Sequence, residues 1–103
     1  MPLTVKLETE RGERVEAVYF GPEHWLEELL PADDDTSYQC WRLIDCYGNT
    51  VFNRLQMGQF LAELQRIRAK HALPQHQAML DEVERLARRC KTSFHYYLKF
   101  YGD

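Results

Sequence analysis

The hydrophobic period of this chain changes twice, and those changes limit its fold more than any single residue does. Leu3, Val5 and Leu7 alternate with Thr4, Lys6 and Glu8, the two-residue period of a strand with one buried face. Val15, Ala17 and Tyr19 repeat that period after Glu10, Arg11, Gly12 and Glu13. Gly12 supplies the turn where positive φ is needed, so the opening residues predict a β-hairpin. Gly21 and Pro22 break the pattern, and Pro22 suits the first turn of a short helix over residues 22–30 with Trp25, Leu26, Leu29 and Leu30 on one side.

Residues 32–39 lack apolar periodicity and read as an exposed loop, followed by a strand at 40–45 and a second hairpin through Tyr47, Gly48 and Asn49 into residues 50–52. The period then lengthens. Asn53 with Gln56 three positions on is a helix-start signal, and Met57, Phe60, Leu61, Leu64 and Ile67 recur at helical spacing. Gln59, Glu63, Arg66 and Lys70 take the outer side of that helix. After Pro74 a second amphipathic helix turns Met79, Val83, Leu86, Ala87 and Cys90 inward and Glu82, Arg85, Arg88 and Arg89 outward. Phe94, Tyr96, Leu98 and Phe100 return to the period of two, opposite His95, Tyr97, Lys99 and Tyr101.

The predicted order is ββαββααβ. The fold class is α+β, an antiparallel sheet of about five strands carrying an αα-hairpin and the short helix. At 103 residues this is one domain, 1–103. No stretch reaches the roughly 20 apolar residues of a membrane helix, and residues 1–10 carry no signal-peptide pattern. With three cysteines, an odd number, the expectation is reduced thiols in a cytoplasmic protein.

No catalytic, metal or cofactor-binding site is expected from the motifs. Asp33, Asp34 and Asp35 invite a calcium reading. Counted from Asp33, however, the sixth loop position is Tyr38 where Gly belongs, and the twelfth is Ile44 where Glu belongs. His71 and His76 are too few ligands for zinc, and Cys90 with His95 is spacing without geometry. The scattered glycines form neither a phosphate loop nor a dinucleotide fingerprint. His24, Glu27 and Glu28 share a face of the short helix by ordinary spacing.

Charge is distributed unevenly. Residues 1–50 hold 11 acids and 4 bases, whereas residues 51–103 hold 5 acids and 9 bases. Arg85, Arg88, Arg89 and Lys91 form a basic stripe, but bases at a helix C-terminus also complement its dipole, and the net charge of -3 weighs against nucleic acid as the partner. Asp33, Asp34 and Asp35 with Tyr38 and Trp41 are instead the ingredients of a protein contact, acids steering a basic partner and aromatic side chains anchoring it.

The segments Ile44-Asp45-Cys46-Tyr47-Gly48-Asn49-Thr50-Val51-Phe52-Asn53 and Tyr97-Leu98-Lys99-Phe100-Tyr101-Gly102-Asp103 resemble segments of small bacterial α+β proteins, some of which are immunity proteins for secreted toxins. The resemblance implies a cytoplasmic, non-catalytic inhibitor that occludes a cognate toxin with a basic cleft, and it transfers no site residue. Two alternatives belong to other classes. One is a small enzyme with a dispersed site around His24, Glu27 and Cys46. The other is a homodimeric adaptor joined through the Tyr97 and Tyr101 face.

Overall fold

The computed structural model describes residues 3–20 and 26–102. Strand β1 (Thr4–Thr9) turns back into β2 (Arg14–Tyr19) through Gly12 at φ 80°, the left-handed conformation that favours glycine. Strand β3 (Asn49–Asn53), helix α1 (Met57–Lys70), helix α2 (Pro74–Lys91) and strand β4 (Tyr96–Tyr101) follow. Short 3₁₀ turns occupy Leu26–Leu29, Trp41–Leu43 and Arg54–Gln56. The sheet is antiparallel with strand order β2-β1-β4-β3.

The helices cover one sheet face. Leu3, Val5 and Leu7, together with Phe52, Leu98 and Phe100, are buried against Phe60, Leu64, Ile67, Val83, Leu86 and Cys90. Phe60 lies 5.4 Å from Phe52 and 5.9 Å from Phe100 by ring centroids, a spacing at which tilted aromatic pairs attract. Each such side chain contributes roughly 1.5–3 kcal/mol by leaving water. A radius of gyration of 12.6 Å matches the value of about 13 Å for one compact domain of this length.

The two long helices start and meet as their sequence implies. Asn53 Oδ1 accepts from the N–H groups of Leu55 and Gln56, and Gln56 Oε1 accepts from Asn53 N at 2.8 Å, a capping box at the turn leading into α1. Pro74 opens α2, and Arg68 of α1 clasps it through Asp81 and Glu84, each at 2.8 Å.

Several expectations need correction. The sheet has four strands among the described residues, because residues 40–45 do not extend. They hold the Trp41–Leu43 turn instead, so the second hairpin does not form and β3 pairs with β4. Glu63 lies inside, fully buried, where an outer position was predicted. On β2 Val15 packs against the core as predicted, but beyond the register shift at Leu7 and Glu8 the residues facing the helices are Glu16 and Val18, opposite Leu7 and Val5, while Tyr19 is 63% exposed. The cause lies on α2, where Arg85 and Arg89 both donate to Glu16 and hold that carboxylate under the helix. Phe94 precedes β4 and is 76% exposed, with the Arg54 guanidinium stacked on its ring. Of the helix predicted over residues 22–30, the described part holds a 3₁₀ turn at Leu26–Leu29; residues 22–25, His24 and Trp25 among them, lie outside the described residues.

Candidate binding surface

Residues 30–48 cross from the first 3₁₀ turn to β3, and two groups on α1 tie them down. Glu63 is the first. Its carboxyl oxygens accept from the backbone N–H groups of Gln39 (2.8 Å), Cys40 (3.0 Å) and Trp41 (3.0 Å), and from Gln59 Nε2 at 2.7 Å. Three successive N–H groups aimed at one acceptor cannot also run along a strand ladder, which is why the chain bends here. The same carboxyl sits beside the Cys40 thiol, which burial, with Glu63 adding to it, pushes up to about 11.

Arg66 is the second anchor. Its guanidinium donates to the Ser37 carbonyl (2.6 Å) and Oγ (3.1 Å) and lies 4.1 Å over the Tyr38 ring. Trp41 stacks on Phe60 at 4.9 Å between centroids and donates from Nε1 to the Phe60 carbonyl at 3.1 Å. Tyr38 and Trp41 are both buried. The aromatic anchors expected at a partner's surface are therefore the pins that fasten the loop to the core, because an apolar ring beside a helix stripe gains more from the core than from water.

The three aspartates separate. Asp35 is half-buried and accepts from Ser37 N (3.1 Å) and Oγ (2.6 Å). Those two bonds from Ser37 hold its carboxyl below the usual value, helped by Lys70 and Arg66. Asp33 and Asp34 stay exposed at the tip. Of the five residues of the predicted contact, Asp33 and Asp34 are exposed, Asp35 is half-buried, and Tyr38 and Trp41 are buried.

Beside that tip runs a groove of about 630 Å³, lined by Glu27, Asp33, Arg42, Leu43, Asp45, Cys46 and Tyr47 among others. Leu43 is 49% exposed, a large apolar side chain set among three acids. Glu27 is tied to the start of β1, its carboxylate accepting from Leu3 N at 2.7 Å. Burial raises the Cys46 thiol, and the negative charges of Glu27 and Asp45 raise it further, so this setting opposes a thiolate. Gly102 packs tightly against the backbone of this segment, since a Cβ there would stand 2.3 Å from the Cys46 carbonyl oxygen.

Opposite the helices, the other sheet face carries Lys6 and Glu8, with Tyr97, Lys99 and Tyr101 beside them. Glu8 is only 6% exposed, because the Tyr101 hydroxyl (2.6 Å) and the Lys99 ammonium (2.9 Å) close over it. Burial pulls its pKa upward, but the Tyr101 bond and Lys99 outweigh that and leave it lowered. The Tyr101 phenol is pushed up to about 12 by burial, then by its bond to Glu8.

The basic stripe is largely neutralised. Arg85 and Arg89 engage Glu16, and Arg88 reaches Glu84 at 2.7 Å. All three cysteines are unbridged. Among the described residues no group of three or more His, Cys, Asp or Glu is placed to hold a metal ion, and no helix is long and apolar enough to cross a membrane.

Two residues of this surface escaped the sequence reading. Leu43 falls in the segment 40–45 whose apolar content predicts a strand, and nothing in its neighbours marks it as exposed. Glu63 did leave a signal: it lies three residues after Phe60 and four before Ile67, which places it on the buried side of α1. Comparison with protein-family models, curated proteins and solved structures gave no match.

Proposed function

We propose that the chain is a non-catalytic protein-binding module of the immunity type, a cytoplasmic inhibitor that occludes a secreted toxin with a basic cleft. The observation that carries this reading is the acidic tip and its anchoring. Asp33 and Asp34 are exposed on a loop held by Glu63 and Arg66, and Leu43 and Asp45 share the adjoining groove with Asp33. A loop fixed before contact loses less conformational freedom on binding, and clustered carboxylates accelerate encounter with a positive cleft.

The test is capture of the partner by the tagged chain at low salt, followed by kinetics with the purified pair. The expected result is a stoichiometric complex in which the toxin's activity is lost and no product forms. Asp33→Lys with Asp34→Lys should slow association by about tenfold and flatten its dependence on salt. Unchanged rate, affinity and salt dependence in that variant would rule out the tip as the contact.

A second reading, a small enzyme, draws support from the groove that brings Glu27 to Cys46. The raised Cys46 thiol works against a nucleophilic role there. A covalent thiol probe that labels Cys46 at neutral pH as fast as an ordinary exposed thiol would favour this reading over the first.

A further inference from the structure

The geometry points to a homodimer formed by antiparallel pairing of two β3 edges about a twofold axis through Val51. β3 is an outer strand, bonded to β4 on one side, and among the described residues no strand pairs with its other side. Gly102 N donates to the Gly48 carbonyl at 2.8 Å, in register with the pairing of Asn49 to Tyr101 and Thr50 to Phe100. Because bonded and non-bonded pairs alternate along an antiparallel ladder, Thr50 and Phe52 direct their N–H and C=O groups to β4, while Asn49, Val51 and Asn53 direct theirs outward.

That outward row is self-complementary. In a twofold pairing Val51 of each copy exchanges both backbone bonds with Val51 of the other, and Asn49 N–H reaches the Asn53 carbonyl. The Asn53 N–H is already taken by Gln56 Oε1 at 2.8 Å, so the capping box limits the ladder to this short stretch. Side chains match under the same axis. Val51 is 51% exposed at the centre, Tyr47 is 84% exposed four residues before it, and Leu55 is 76% exposed four residues after it. The axis therefore brings the Tyr47 end of one copy to the Leu55 end of the other, with Phe94, 76% exposed, beside Arg54 there.

Charge agrees with this arrangement. Asp45 precedes β3 and Arg54 follows it, so the axis sets the acidic end of each copy against the basic end of its mate. A second copy thus satisfies apolar, hydrogen-bonding and ionic requirements of the edge together, and the pairing makes one continuous sheet across both copies. This contact differs from the Tyr97 and Tyr101 face and does not use Asp33 or Asp34, but it shares Asp45 and Tyr47 with the groove beside the acidic tip.

Light scattering on the purified full chain, over a concentration series from the micromolar range upward, reads the outcome. The mass should rise from the chain's 12.3 kDa toward twice that value. Val51→Lys opposes two ammonium groups at the axis, and Arg54→Glu sets like charges against Asp45. Each should weaken the pairing at least tenfold while circular dichroism stays native. Combining Asp45→Arg with Arg54→Glu should restore it, a rescue that a folding defect would not give, and the Asp33→Lys, Asp34→Lys protein should dimerise normally. A mass of 12.3 kDa at every concentration overturns the proposal. So does a dimer indifferent to Val51→Lys and Arg54→Glu, including one held by the Tyr97 and Tyr101 face, or an edge filled only by a different protein's strand.

Discussion

Among the described residues two glutamates are buried, Glu63 on α1 and Glu8 on β1, and their surroundings differ in kind. Glu63 is fully enclosed and takes its hydrogen bonds mainly from backbone N–H groups of residues 39–41. Glu8 is covered only by side chains, the Tyr101 phenol and the Lys99 ammonium. A carboxyl group that satisfies backbone donors dictates where the chain goes. One that satisfies side chains dictates only how a surface is charged. Glu63 should therefore be a determinant of loop conformation, and Glu8 a local contributor to stability.

Substitution at Glu63 should have the largest effect. Glu63→Ala leaves three backbone donors without a partner beside a cavity, and should cost about 4 kcal/mol, read as a drop in the denaturant midpoint with an unchanged slope. Glu63→Gln keeps the shape and one acceptor oxygen and should cost about half as much. If both variants fell within about 0.5 kcal/mol of the parent, the loop would be held by its aromatic pins alone.

Glu8→Gln should cost about 1 kcal/mol near neutral pH. Its pH dependence sharpens the contrast. The Glu8 pKa is lowered on folding from an ordinary value of 4.5, so its contribution is complete above that value and is lost as pH falls through the lower folded value. The acid limb of the stability profile should flatten in Glu8→Gln. Tyr101 has the opposite sign: raised to about 12 from 10, its contribution is complete below pH 10 and lost as pH rises toward about 12. In an ultraviolet titration the Tyr101 phenol should ionise late, and earlier in Glu8→Gln. The smallest effect on folding belongs to Asp33→Lys with Asp34→Lys, whose unfolding midpoint should match the parent even as partner association slows.

The same contrast accounts for what the sequence made legible. The first hairpin, the αα-hairpin, the Asn53 and Gln56 capping box and the Gly12 turn rest on neighbours in the chain, and periodicity reads such relations directly. The apolar content of residues 40–45 suits a strand. Their conformation is decided by Glu63, 22 residues beyond Trp41. The face of β2 depends on Arg85 and Arg89, 69 and 73 residues beyond Glu16. For the same reason Tyr38 and Trp41 could not be assigned to core or contact from composition, since the deciding partners, Phe60 and Arg66, lie on another element.

Backbone hydrogen exchange at Gln39, Cys40 and Trp41, compared between the parent and Glu63→Gln, tests the central claim that a buried carboxyl group fixes the loop that presents the acidic tip. These amides should exchange in the parent as slowly as those of β1 and β4, and in Glu63→Gln they should accelerate far more than the strand amides do. Rapid exchange at these three positions in the parent, or equal acceleration everywhere in the variant, would contradict the account.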